Sequence, residues 1–289
     1  MSYSDALMSQ LTLLDYWQQN TEESEFICEQ LGDPTLSIRA LQQIMVNMFS
    51  QADTYYVSGE IADVLVGGFD TLPNTPLGDI RPSSPYGWGY FERPVLCPFL
   101  GPSDEPWKIK AIVWGPSSSW RSDKGLNIGI FAQNPWSVHF QCSGMTAVSW
   151  EAGWDSLWAV TEGADPEYRD LSNWISKLVF SFFAFIRQEC VSIQTAPASR
   201  PIRRHAPKAY TAEPVIRIIQ LRRRSPAINV GETQSRDYSC RWLVRGHWRN
   251  QFYPSSKSHR PRFIPAYVKG PDDKPLKQPA KVSLFAVVR

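Results

Sequence analysis

A chain of 289 residues that is 43% hydrophobic and 20% charged holds ample apolar material for a packed core and is too apolar to stay disordered. Its net charge of +2 conceals a split: residues 1–199 carry 10 Lys and Arg against 23 Asp and Glu, a net of −13, and residues 200–289 carry 20 against 5, a net of +15. The five cysteines (Cys28, Cys97, Cys142, Cys190, Cys240) are odd in number and contain no CxxC pair, which argues against a disulfide framework and a zinc site; no cofactor is expected, and a reducing cytoplasm fits best.

The opening MSYSDALMSQ lacks the basic start and apolar core of a signal peptide. Residues 4 to about 68 read as helices. Leu7, Leu11, Leu14 and Trp17 trace one face behind Ser4, and Leu41, Ile44, Met45, Met48 and Phe49 trace another behind Ser37. A third helix runs from Ser58 through Ile61, Val64 and Leu65 to Gly67–Gly68, where glycine ends helices. Extended backwards, it would put Asp53, Glu60 and Asp63 on one face. Such a trio is ordinarily a solvated face or a partner for basic side chains, since a metal needs converging ligands.

The Pro- and Ser-rich stretch from Leu72 to Gly87 reads as a loop. Strands follow at Gly89–Val95, Trp107–Trp114 and Leu126–Phe131, with another around Val138–Trp150. Lys108, Lys110 and Ile112 alternate with Ile109, Ala111 and Val113, as in a half-buried sheet. His139 reads as a structural histidine, with no carboxylate in view to orient it. After an acidic, loop-like stretch to Asp170, Leu171, Trp174, Leu178, Phe182, Phe183 and Ile186 cover most of a helix's circumference. Lys177 and Arg187 bracket an apolar run far short of a bilayer span, so a buried central helix is expected and no membrane anchor.

Residues 192–214 read as an extended linker made basic by Arg200, Arg203, Arg204, His205 and Lys208. Arg200 and His205 have an R-x4-H spacing used by one class of ribonuclease helical domains, here expected in a Pro-containing loop.

The C-terminal part concentrates the cations. VIRIIQLRRR opens it at Val215 and KVSLFAVV closes it at 281–288. Between them, Tyr238 to Gly270 holds seven Lys and Arg, two His and seven aromatic rings. Tyr238, Trp242, Val244, Trp248 and Phe252 share one parity of a strand; Arg241, Arg245, His247 and Arg249 share the other. Gly246 marks a bulge or a close backbone approach, and Pro265 interrupts a second strand over Arg262–Lys269. The arginines suit phosphates, whose neutralisation releases counterions. Exposed Trp248, Phe252, Tyr253 or Tyr267 would stack on unpaired bases.

The candidate nucleic-acid-binding residues are therefore Arg222, Arg224, Arg241, Arg245, His247, Arg249, Lys257, Arg260 and Arg262, with Arg223 replacing Arg222 and Arg224 in the other register. A second reading makes His247 and His259 the acid and base of a metal-independent, toxin-like ribonuclease. A third gives the basic face an acidic host protein to bind. No GxSxG elbow and no HExxH occurs.

ADTYYVSGEIADVL at 52–65, YGWGYFERPV at 86–95 and VRGHWRNQFYPSSKSHRPRFIPAYVKGP at 244–271 resemble a family of uncharacterised proteins from actinobacteria and their phages and plasmids. The resemblance spans most of the chain. It implies a shared architecture and a mobile-element origin and supplies no catalytic residues. The expected fold is α+β: a helical N-terminal region with a small β-sheet, a central buried helix, and a C-terminal, mostly antiparallel β-sheet domain. The expected divisions are an acidic domain at 1–191, a basic linker at 192–214 and a basic β-rich domain at 215–289.

Overall fold

The computed structural model describes residues 3–19, 37–100, 106–117, 125–133, 140–151, 153–154, 166–222, 238–271 and 273–277. The fold is α+β. Its sheet is built outward from β1 (Asp53–Val57), whose aromatic and β-branched DTYYV is buried on both faces. Two parallel neighbours flank it: β2 (Gly87–Leu100) on one edge and β7 (Val215–Leu221) on the other. An antiparallel meander continues from β2 through β3 (Pro106–Pro116), β4 (Gly125–Gln133) and β5 (Phe140–Ser149). On the far side β6 (Val191–Pro197) pairs antiparallel with β7. The order is β5-β4-β3-β2-β1-β7-β6, a seven-stranded mixed sheet where the sequence suggested a small one.

Each face of the sheet carries its own core. Alternation along β1 sends Tyr56 to one face, where it joins Trp88, Val113 and Phe131 beneath α1 (Ser4–Gln19) and α2 (Ile38–Gln51). Tyr55 goes to the other, with Phe91, Ile112 and Trp114 beneath α3 (Gly59–Gly67) and α4 (Pro166–Phe185). The expected helical faces of α1 and α2 are the buried ones, and the Ser37 hydroxyl caps α2 by accepting the Ala40 N–H at 3.1 Å. At the other end of α2, buried Gln10 donates to the carbonyls of Phe49 and Ala52, both at 2.9 Å, satisfying acceptors the helix leaves open. Helix α4 is the expected buried helix. Among the described residues no helix is long and apolar enough to cross a membrane.

Three expectations are corrected. Asp53 begins a strand, so it shares no helical face with Glu60 and Asp63. Asp53 pairs with Arg217 at 2.7 Å and Asp63 with Arg93 at 2.7 Å, and no group of three or more potential metal ligands converges among the described residues. The Val215 strand opens no C-terminal sheet: it lies in the large sheet against β1, because Ile216 and Ile219 have cores to fill on opposite faces. Finally, the 192–214 stretch is not extended throughout. Its start is edge strand β6, and Arg200–His205 form helix α5, with Pro201 in the first turn where its missing N–H leaves no bond unmade. Arg224, His139 and the 281–288 segment lie outside the described residues.

Candidate nucleic-acid interface

The basic segment folds into one long, kinked β-hairpin. Strand β8 (Trp242–Val244) pairs with β11 (Tyr267–Lys269), and β9 (His247–Tyr253) pairs with β10 (Ser258–Ile264). The two ladders share one register. Val244 faces Tyr267 in the first and His247 faces Ile264 in the second, with two residues between them on each arm. The interruption has a sequence cause. Pro265 has no N–H to give the ladder, and opposite it a side chain at Gly246 would press to 2.9 Å from the Phe263 ring. The alternation read from sequence is thus real, but it is split between two short ladders.

Trp248 and Phe263 face each other across β9 and β10 and anchor the hairpin. They are 3% and 6% exposed and pack edge-on against Phe185 at the end of α4. The Trp248 N–H donates to the Thr71 hydroxyl at 2.8 Å. Gln188 treats the outer edge of β10 as a neighbouring strand would. Its amide donates to the Pro261 carbonyl at 3.1 Å and accepts the Phe263 N–H at 3.0 Å, covering backbone groups an edge would expose.

Residues directly opposite in an antiparallel pair share a face. One face of the hairpin therefore carries Arg249 opposite Arg262, and Gln251 opposite Arg260, with Tyr253 at its end. Arg249, Arg260 and Arg262 are all exposed. Among the described residues, the carboxylate within ion-pair reach of this trio is Glu189, 3.6 Å from Arg262 and itself 81% exposed. The Arg260 guanidinium lies 5.9 Å from the Tyr253 ring centre. Lys257 is exposed at the tip with φ 48°, a left-handed conformation that turns ordinarily give to Gly or Asn.

Of the other expected residues, half-buried His247 keeps the same face, opposite Ile264, and the rest separate from it. The Arg241 side chain donates to the Lys274 carbonyl at 2.9 Å, helping to hold the 273–277 segment. Arg222 donates to the Val191 carbonyl at 2.7 Å on the large sheet. Arg245 is exposed at the kink, where its carbonyl lies 3.0 Å from Nδ1 of half-buried His247. His259 stands opposite Phe252, on the reverse face, with the two rings 5.0 Å apart. His247 and His259 thus occupy opposite faces and are separated along the hairpin by five strand positions, about 17 Å at the usual strand rise. The acid–base pair of the ribonuclease reading does not form. Of the expected stacking rings, Trp248 is buried, Phe252 is on the reverse face, and Tyr253 shares the arginine face.

A crevice of about 280 Å³ runs between β10 and the end of α4. Its inner wall includes buried Ile80, Ala184 and Cys190, and Arg187, Arg260 and Arg262 line it with Asp79 and Glu189.

A second cluster of ionisable groups escaped the sequence reading. Lys110 was expected on the polar side of a half-buried strand, yet it is 2% exposed. The register of β2 against β3 slips across Pro94 and again across Pro98, and the slip leaves the Glu92 carbonyl to accept Lys110 Nζ at 2.8 Å. The ammonium also lies 4.5 Å from the Tyr90 ring centre. Burial brings the Lys110 ammonium down to about 8, against the opposing pull of Glu92 and Asp5. Burial pushes the Glu92 carboxyl up, but the Gly59 N–H and the Tyr56 hydroxyl prevail and hold it below its usual range.

The Lys110 shift has a consequence for stability. A lysine with a folded pKa near 8 and an ordinary unfolded one near 10.5 holds fewer protons when folded, so stability rises with pH across that interval. The expected gain is roughly 2–3 kcal/mol between pH 8 and about 10. From about pH 9 upward Tyr55, Tyr56, Tyr90 and Tyr210, all raised by burial, ionise in the unfolded chain first and oppose it, so the wild type rises by less and the lysine's share is its difference from Lys110→Met. Urea denaturation from pH 7 to 10 should show the rise in the wild type and its loss in Lys110→Met. The same rise in the variant would assign it elsewhere.

No protein-family model matches the chain, and no curated protein matches it. Among solved structures, the chain is similar to one described as the crystal structure of AcrVA2, with 12% identity and a TM-score of 0.47 over 91% of this chain and 93% of that one; likeness at this level carries no argument about function.

Proposed function

We propose that this chain binds nucleic acid, gripping phosphates with the arginine face of the hairpin and catalysing no reaction there. The observation that supports it most is Arg249 directly opposite Arg262, with Arg260 one pair further along. Like charges facing each other across a ladder destabilise it, so folding gives no reason to place them there. An exposed ion pair to Glu189 offsets little of that repulsion. A phosphate backbone would relieve it, with counterion release as the driving term. The left-handed Lys257 fits the same role, because it spends conformational strain to keep a cation at the tip. A cytoplasmic setting belongs to the same reading, from the odd number and scattered spacing of the five cysteines.

Fluorescence anisotropy with a labelled oligonucleotide tests it. Affinity should fall steeply with salt, with a logarithmic slope of about −2 to −3 for three arginine contacts. Arg249→Glu with Arg262→Glu should weaken binding by about 100-fold or more, since each site changes from attraction to repulsion. Glu189→Gln should tighten it several-fold by freeing Arg262. Unaltered affinity in the double variant would refute the assignment.

A further inference from the structure

We propose that the crevice beside β10 seats one unpaired nucleotide, so that the ligand is a single strand; the inference rests on the nucleic-acid reading above. Size is the first argument. About 280 Å³ lies at the lower bound of small-molecule sites, right for one nucleotide and closed to a base pair. Chemistry is the second. Half-buried Tyr253, Ile264 and Pro265 give the crevice its apolar surface, with almost wholly buried Ile80, Ala184 and Cys190 adding little, and charged side chains line the rest. A nucleotide has the matching division, with a flat base that gains from leaving water and a phosphate that must stay with cations.

Position is the third argument. Arg260 and Arg262 belong both to the crevice lining and to the exposed arginine face, so a strand tracked by Arg249 arrives at the crevice without leaving its cations. Tyr253 lines the crevice too, half-buried, and offers a ring for stacking. A duplex keeps its bases stacked and paired, so it can use the arginines and cannot seat a base in the crevice. Asp79 in the lining supplies a carboxylate acceptor for base N–H groups.

The test compares one labelled 12-mer RNA, single-stranded and annealed to its complement, by anisotropy at a fixed salt concentration. The single strand should bind at least tenfold more tightly than the duplex. Ile264→Trp, which fills the crevice from β10, should bring that ratio close to one. Tyr253→Ala, a half-exposed position whose loss leaves the buried core untouched, should lower the ratio about tenfold and keeps the test valid should the first variant misfold. Equal affinities in the wild type, or a ratio unmoved by both variants, would overturn the crevice assignment while leaving the arginine face intact. Binding of neither form would overturn the nucleic-acid reading itself, and this inference with it.

Discussion

Trp248→Ala is expected to destabilise the protein by about 3–5 kcal/mol, the usual cost of removing a fully packed large aromatic side chain. The indole fastens the hairpin to the body. It is 3% exposed, its ring centre lies 5.3 Å from that of Phe263 and 6.2 Å from that of Phe185, and its backbone N–H is tied to Thr71. Alanine would leave a void facing both phenyl rings, and the Gly246–Pro265 kink beside it has no ladder bonds with which to compensate. The melting temperature should drop by roughly 6–20 °C, given the entropy of unfolding of chains this large. Trp242→Ala is the control. That ring is half-buried in β8 and meets Tyr238 and Lys269 near the exposed end of the hairpin, so its removal should cost much less. Equal losses would mean that the Trp248 contact is not what holds the hairpin.

Gly87→Ala should be nearly as damaging, for the opposite reason. Gly87 lies directly across the β2–β3 ladder from Trp114, whose indole covers the space where a side chain would be. A methyl group there would overlap that ring, and the ring cannot retreat. It is fully buried, its N–H donates to the Ser84 carbonyl at 3.1 Å, and Tyr55 and Phe183 stand 5.5 and 5.2 Å away. Overpacking ordinarily costs about 1–3 kcal/mol, and a site this constrained belongs at or above the top of that range. Gly59→Ala provides the contrast. There the new methyl meets the Arg93 side chain, which is 59% exposed and can swing into solvent. It gives up an exposed ion pair with Asp63, worth under about 1 kcal/mol, and alanine's helical preference returns a similar amount. Urea midpoints for the two variants should differ widely; matching midpoints would show that the Trp114 ring yields.

The sequence made the helices legible because their apolar stripes are long and periodic: Leu7 to Trp17, Leu41 to Phe49 and Leu178 to Ile186 all became buried faces. Strands of the meander were readable for the same reason. Strand β1 was not. Five residues between two helical patterns carry too little periodicity, and only pairing with segments 34 and 162 residues onward makes them a strand. The edge strand β6 was hidden by its polar residues on both faces, since Gln194, Thr195 and Pro197 look like linker until the Val215 strand arrives beside them.

The arginine face shows the same boundary between local and distant information. Parity along 247–252 put Arg249 and Trp248 on opposite faces, as expected. It had no means of pairing Arg249 with Arg262, or of turning Arg241 and Arg222 toward backbone carbonyls, because those depend on the hairpin register and on where Lys274 and Val191 come to rest. Lys110 was invisible for a related reason. Its burial follows from a register slip at Pro94, which belongs to the neighbouring strand.

The placement of β1 also governs how the molecule emerges during its synthesis. Its first partner follows closely, but 157 residues separate Val57 from Val215, the start of the second. At ordinary elongation rates, a ribosome takes roughly 8–30 s to cover that distance. Throughout that interval one margin of the nascent sheet's middle strand offers bare amide and carbonyl groups to any passing extended peptide. Chaperone occupancy over those seconds, more than the stability of the finished sheet, would then govern how much of each polypeptide made reaches its native form.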